Sequence, residues 1–217
     1  MTARDEVLAR IRTALQRGRA PAPVAQTAGQ PAYRRHGDTT DEASLIRLLA
    51  DRLADYRALV HLVAADSLAG EIAAALERRG AATAVVPPGL GLPLPDSVVV
   101  TVDGAGDGHA LSAAELDAID AVITRAAVAI AETGTIILDG SPDQGRRAIS
   151  LVPDYHLCVV DARQVVELVP EAVARLAGTA SRPLTWISGP SATSDIELER
   201  VEGVHGPRTL EVLLVTR

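Results

Sequence analysis

Three short segments hold most of the side chains able to do chemistry. The first is Ala131-Glu132-Thr133-Gly134-Thr135, set between the apolar runs 126–130 and 136–138. Glu132 offers a carboxylate that could act as a base, a nucleophile or a hydrogen-bond acceptor. Thr133 and Thr135 offer hydroxyls, and Gly134 permits a positive φ or a close approach of another group. Neighbouring N–H groups in such a turn could also form an anion nest. An ordinary hairpin turn would carry the same residues.

The second segment runs from Ser188 through Gly189, Ser191, Thr193 and Asp195 to Glu197. Gly189-Pro190 turns the chain after an apolar run, and three hydroxyls follow at Ser191, Thr193 and Ser194. A helix beginning there would present free N–H groups to a phosphate or carboxylate. The same residues also read as a Ser/Thr cap with Asp195 and Glu197 beside a helix dipole. The segment lacks the Gly-Lys-Ser/Thr ending of a phosphate-binding loop and the Gly-x-Ser-x-Gly frame of a nucleophile elbow. Gly104-Ala105-Gly106-Asp107-Gly108 likewise fails the dinucleotide spacing.

The third segment is Gly203-Val204-His205-Gly206-Pro207. An imidazole between glycines can titrate near neutrality and serve as acid or base, or it can hold a turn together. His205 with Asp195 and Glu197 could in principle ligate a metal, but the spacing matches no recognised site. His156, at the start of an apolar run, reads as structural. His36, His61 and His109 have no supporting context.

These segments need a frame. Val7, Leu8, Ile11 and Leu15 share one helical face over residues 3–17, and Thr2 and Asp5 match a capping box. A Pro/Gly-bearing connection follows, so residues 1–37 read as an arm and 38–217 as an α/β domain. From residue 40 strands and helices alternate: a helix ending near Tyr56, a strand at 58–63, a helix from Ser67 to Arg79 closed by Gly80, strands at 83–86, 98–102 and 121–124, and a short helix opened by Ser112-x-x-Glu115. That order predicts a mostly parallel sheet flanked by helices. After residue 125 apolar runs crowd together at 126–131, 135–138, 148–152, 156–160, 184–187 and 210–215, with one helix near 170–176. That half reads as richer in strands and hairpins.

Composition narrows the function. The 217 residues carry a formal net charge of -7, so no Lys/Arg stripe neutralises phosphates, and with no Phe, one Trp and three Tyr there is little for bases to stack on. Nucleic acid is therefore not expected as a partner. Cys158 is the sole cysteine, which rules out an internal disulfide framework and an iron–sulfur cluster with its four or so ligands. No run reaches the about 18 apolar residues of a membrane span, and the N-terminus reads as a charged amphipathic helix in place of a signal peptide. The expected location is the cytoplasm.

Together, Ala131-Glu132-Thr133-Gly134-Thr135-Ile136, Leu151-Val152-Pro153 with His156, Ser188-Gly189-Pro190-Ser191-Ala192-Thr193 through Asp195-Ile196-Glu197, and Gly203-Val204-His205-Gly206-Pro207 resemble the LUD-domain family, most closely its lactate utilisation protein C branch. The resemblance is strong from about 120 onward, looser over 40–120, and fades in the arm. It implies a fold like that of the glucosamine-phosphate isomerase, ribose-phosphate isomerase and CoA-transferase superfamily. It also implies a part in oxidising L-lactate to pyruvate beside separate iron–sulfur subunits, this chain being the cluster-free member with no cofactor of its own and no metal.

The expected site is a cleft for a small carboxylate or phosphate, bound through Thr133, Gly134, Thr135, Ser188, Gly189, Ser191, Thr193, Asp195 and Glu197, with Glu132 and His205 as the acid–base pair. Two other readings compete. One is a non-catalytic assembly protein for iron–sulfur partners. The other is a stand-alone transferase or isomerase acting on a phosphorylated or CoA-linked substrate, with Glu132 as nucleophile or base.

Overall fold

Val122, Ile123, Leu157, Val159, Val212 and Leu213 leave no polar face on their strands, and all six are buried. Strands apolar on both faces pair in parallel inside a protein and need cover on each side. The structure, a computed structural model, describes residues 3–16, 33–39, 41–104, 110–179, 182–193, 201–203 and 205–216.

In chain order the first half contains α1 (Ala3–Gln16), α2 (Glu42–Asp55), β1 (Leu59–Ala64), α3 (Leu68–Arg79), β2 (Thr83–Val86), β3 (Val99–Val102), α4 (Ala113–Asp117) and β4 (Ala121–Arg125). The second half contains β5 (Val128–Ile130), β6 (Thr135–Leu138), β7 (Tyr155–Asp161), β8 (Val165–Val166), α5 (Val169–Arg175), β9 (Thr185–Ile187), β10 (Ala192–Thr193), β11 (Val201–Glu202) and β12 (Thr209–Thr216). The chain divides into two compact units, Met1–Tyr33 and Arg34–Arg217. In the first, α1 carries Val7, Leu8, Ile11 and Leu15 at helical spacing. The capping box expected at Thr2 lies outside the described residues.

In the second unit six strands pair in the order β1-β12-β7-β4-β2-β3, every pair parallel. Side-chain alternation gives this sheet two different faces. Ala84, Val86, Ile123, Leu157, Val159 and Leu213 pack on Ile72, Ala75 and Leu76 of α3. On the reverse, Val85 and Val122 meet Leu116 of α4 and Ile149. Also on the reverse, Cys158, Val160, Val212 and Leu214 meet Ile46, Leu49 and Leu53 of α2 together with Ala129, Ile136 and Leu138.

Those last three residues belong to a second, four-stranded sheet ordered β8-β5-β6-β9. Its outer face buries Val128, Ile130 and Ile137 against Ala172 and Leu176. The expected parallel α/β sheet is thus present, and much of the cover on one side is a second sheet. The cause is spacing. A parallel crossover needs roughly a dozen residues, and β5 and β6 are too close for one, so they turn back as an antiparallel hairpin.

Local signals place the ends of the elements. Asp41 caps α2 by accepting from Ala43 and Ser44 N–H, Gly80 closes α3 at φ 64°, and Ser112 and Glu115 form the expected capping box. Two readings change. The apolar run 148–152 is not a strand: Arg147–Ser150 forms a 3₁₀ turn ahead of Pro153. The helix expected after Gly189 does not begin at Ser191 to Thr193, where Ala192–Thr193 pairs antiparallel with Val201–Glu202, so these residues present no helix dipole to an anion; residues 194–200 lie outside the described residues. Among the described residues no helix is long and apolar enough to cross a membrane.

Candidate functional site

Two of the three sequence segments meet. Ser191 N–H donates to the Pro207 carbonyl at 2.8 Å, Gly203 N–H donates to the Ser191 carbonyl at 3.0 Å, and His205 N–H donates to Ser191 Oγ at 2.9 Å. Ser191 therefore spends its backbone N–H and carbonyl on the opposite segment, while its hydroxyl proton stays available. Between the joined segments lies a cleft of about 280 Å³. One wall is β9 and the turn after it, Thr185 through Ser191. The other is His205, Gly206 and Pro207 with Leu210 of β12. The floor is Arg147, Ser150 and Leu151 with His156, the second residue of β7. The cleft thus opens at the amino ends of β7 and β12.

Its electrostatics are one-sided. None of the described lining residues is acidic. Arg147 is exposed and no described residue pairs with its guanidinium, whereas the adjacent Arg146 is committed to buried Asp103 through Nε and Nη2 at 2.6 and 2.9 Å. That pairing holds the Asp103 carboxyl below its usual range, chiefly by the hydrogen bonds from Arg146. Asp103 also accepts from Leu111 N–H at 3.0 Å, so the acid anchors the loop from which Arg147 projects.

His156 is fully buried, and its Nε2 lies 2.8 Å from Thr124 Oγ1 of β4. Its Nδ1 has no partner among the described residues. Burial pulls the ring down to about 4, so the imidazole is neutral at neutral pH. Cys158 sits beside the same Thr124, and burial pushes its thiol up to about 12, an unreactive value.

The third segment reaches the cleft only indirectly. Thr135 Oγ1 lies 2.8 Å from Ser188 Oγ and 2.8 Å from Thr133 Oγ1, a chain of hydroxyls linking the start of β6 to the end of β9. Thr133, Gly134 and Thr135 are not part of the lining. Nor is Glu132, whose carboxylate takes a hydrogen bond from Arg34 at 3.1 Å. Gly134 (φ 59°) and Gly189 (φ 94°) serve close packing on α2: a Cβ there would stand 2.8 Å from Arg52 Cβ and 2.7 Å from Tyr56 Cβ.

Of the remaining expected residues, Ser188, Gly189, Ser191 and His205 line the cleft. Thr193 falls in β10, its side chain outside the description, and Asp195 and Glu197 lie outside the described residues. Sequence reasoning missed Arg147, Ser150 and Trp186, and set His156 aside as structural. The signal was present in the order Arg147-Ala148-Ile149-Ser150-Leu151-Val152-Pro153, where a cation and a hydroxyl precede a proline stop. Among the described residues, no cluster of His, Cys, Asp or Glu could hold a metal.

Comparison with known proteins gives a consistent picture. Residues 99–215, which contain all the cleft-lining residues named above, match the family described as the LUD domain. The chain is 53% identical over 175 residues to lactate utilization protein C of Deinococcus radiodurans, covering 80% of each chain. It is 34% identical over 124 residues to lactate utilization protein C of Shouchella clausii, covering 55% of this chain and 53% of that one. A crystal structure of a DUF162 family protein from Deinococcus radiodurans superposes with a TM-score of 0.70 at 43% identity, covering 82% of this chain and all of that one.

Proposed function

The chain belongs to the LUD-domain family, and on that premise we propose that it works in lactate utilisation as a cluster-free subunit whose cleft binds a small carboxylate. The observation that carries the reading is Arg147: a cation without a described partner, at a cleft with hydroxyls from Ser188 and Ser191, two imidazoles and no described acid. Such a recess favours an anion by Coulomb attraction and by charge-assisted hydrogen bonding. Iron–sulfur partner subunits supply the electron path, since the one thiol of this chain is sealed in the core. A transferase or isomerase with Glu132 as nucleophile draws no support from the geometry, because that carboxylate is engaged by Arg34 away from the lining.

Isothermal titration of the folded protein with lactate, pyruvate and a sugar phosphate tests the proposal. Binding of a carboxylate, weakened about tenfold to a hundredfold by Arg147→Ala, is the expected result. Heats indistinguishable from dilution for all three ligands would count against the cleft as an anion site.

A further inference from the structure

A second recess, of about 360 Å³, adjoins the cleft, and Arg147, Ser150 and Thr185 line both. The turn after β6 supplies Asp139 and Gly140, and Arg182 comes from the segment leading into β9. With Arg146, three of its described lining residues are arginines, and one, Asp139, is an acid. The three guanidinium groups are held differently. Arg146 is neutralised by Asp103, which lies outside the lining. Arg182 donates from Nη1 to Ser141 Oγ at 3.0 Å. It stands 3.8 Å from Asp139 Oδ2, too far for a hydrogen bond, while Asp139 Oδ1 is filled by Ser141 N–H at 3.0 Å. Nε and Nη2 of Arg182 have no partner among the described residues. Setting Arg146 against Asp103 and Arg182 against Asp139 leaves the charge of Arg147 unopposed.

Two guanidinium forks with most of their N–H donors unspent thus reach one recess from separate loops. A planar carboxylate occupies a single fork with its two oxygens. A phosphate carries more charge and presents its oxygens tetrahedrally, so it can engage two forks that arrive from different directions. Gly140 and Gly145 add no side chain to that part of the lining. We propose that this recess is a phosphate subsite in which Arg147 and Arg182 contact the ligand, separate from the carboxylate position between β9 and β12. The subsite goes beyond the carboxylate reading and stands without it. Its occupant is a phosphate group, carried either by the free ion or by a small phosphate monoester.

The test titrates the full chain with inorganic phosphate, glycerol phosphate and L-lactate by calorimetry in a phosphate-free buffer. Both phosphates should bind, the tighter of the two identifying the source. Arg182→Ala should weaken them about tenfold and leave L-lactate unchanged, whereas Arg147→Ala should weaken all three. NMR of the wild type labelled with nitrogen-15 in arginine gives a readout independent of any variant's folding. The Nε–H signals of Arg147 and Arg182 should move on adding phosphate, while that of Arg163, paired with Asp161, should stay in place. Phosphate heats indistinguishable from dilution overturn the subsite. So does an Arg182→Ala titration that matches wild type, or one that weakens L-lactate as much as phosphate. Phosphate binding without any L-lactate binding overturns the carboxylate cleft alone and leaves the subsite standing.

Discussion

A carboxylate and an imidazole dominate the sequence motifs, yet geometry moves the weight to an arginine and a different imidazole. Glu132 sits over half exposed in an ion pair with Arg34, a surface arrangement worth little. His156 is the costlier residue. Its pKa is 6.5 when free and about 4 in the fold, depressed by burial. The native state therefore refuses a proton that the unfolded chain accepts, and stability is complete above pH 6.5 and lost as pH falls through about 4. The whole effect amounts to about 3 kcal/mol. Urea unfolding at pH 7 and pH 5 should show the wild type losing about 2 kcal/mol that His156→Gln does not lose; parallel losses in the two proteins would contradict the assignment. His156 was hidden in the sequence because its neighbours Leu157, Cys158 and Val159 are core residues. What sets it apart is an unfilled nitrogen, and only coordinates reveal that.

At the scale of elements, the turn motifs are explained by α2. Gly134 and Gly189 hold left-handed backbone against Arg52 and Tyr56, so Gly134→Ala or Gly189→Ala should destabilise the fold by about 2 kcal/mol or more. Gly70, exposed within α3 with open space around its Cα, should behave oppositely. Gly70→Ala should gain roughly 0.5–1 kcal/mol. Thermal melts of the three variants check the contrast, and a loss at Gly70 equal to those at the turns would refute it. The parallel strands and their helices were legible because period and stop signals act locally: Gly80 closes α3 and Ser112 caps α4 where the sequence places them. The second sheet was legible only as crowded apolar runs. Pairing β6 with β9 joins residues some fifty positions apart, a long-range choice that no local pattern encodes.

For the whole molecule, the second compact unit begins at Arg34. Residues 34–39 are tied to it by backbone donation: Thr39 N–H reaches Glu167 Oε2 at 2.7 Å and Gly37 N–H reaches Glu171 Oε1 at 3.4 Å. The Thr39 N–H is the leading cause that holds the Glu167 carboxyl below its usual range. A chain starting at residue 34 should melt with the intact unit, whereas one starting at residue 41 should lose about 1–3 kcal/mol as Glu167 loses its donors. Identical melts would show the strap to be idle. The central claim concerns the cleft between β9 and β12, and a crystal structure grown with saturating L-lactate examines it most directly. The account predicts one lactate there, its carboxylate on Arg147. Lactate bound elsewhere, or ordered water filling the cleft at saturation, would contradict it.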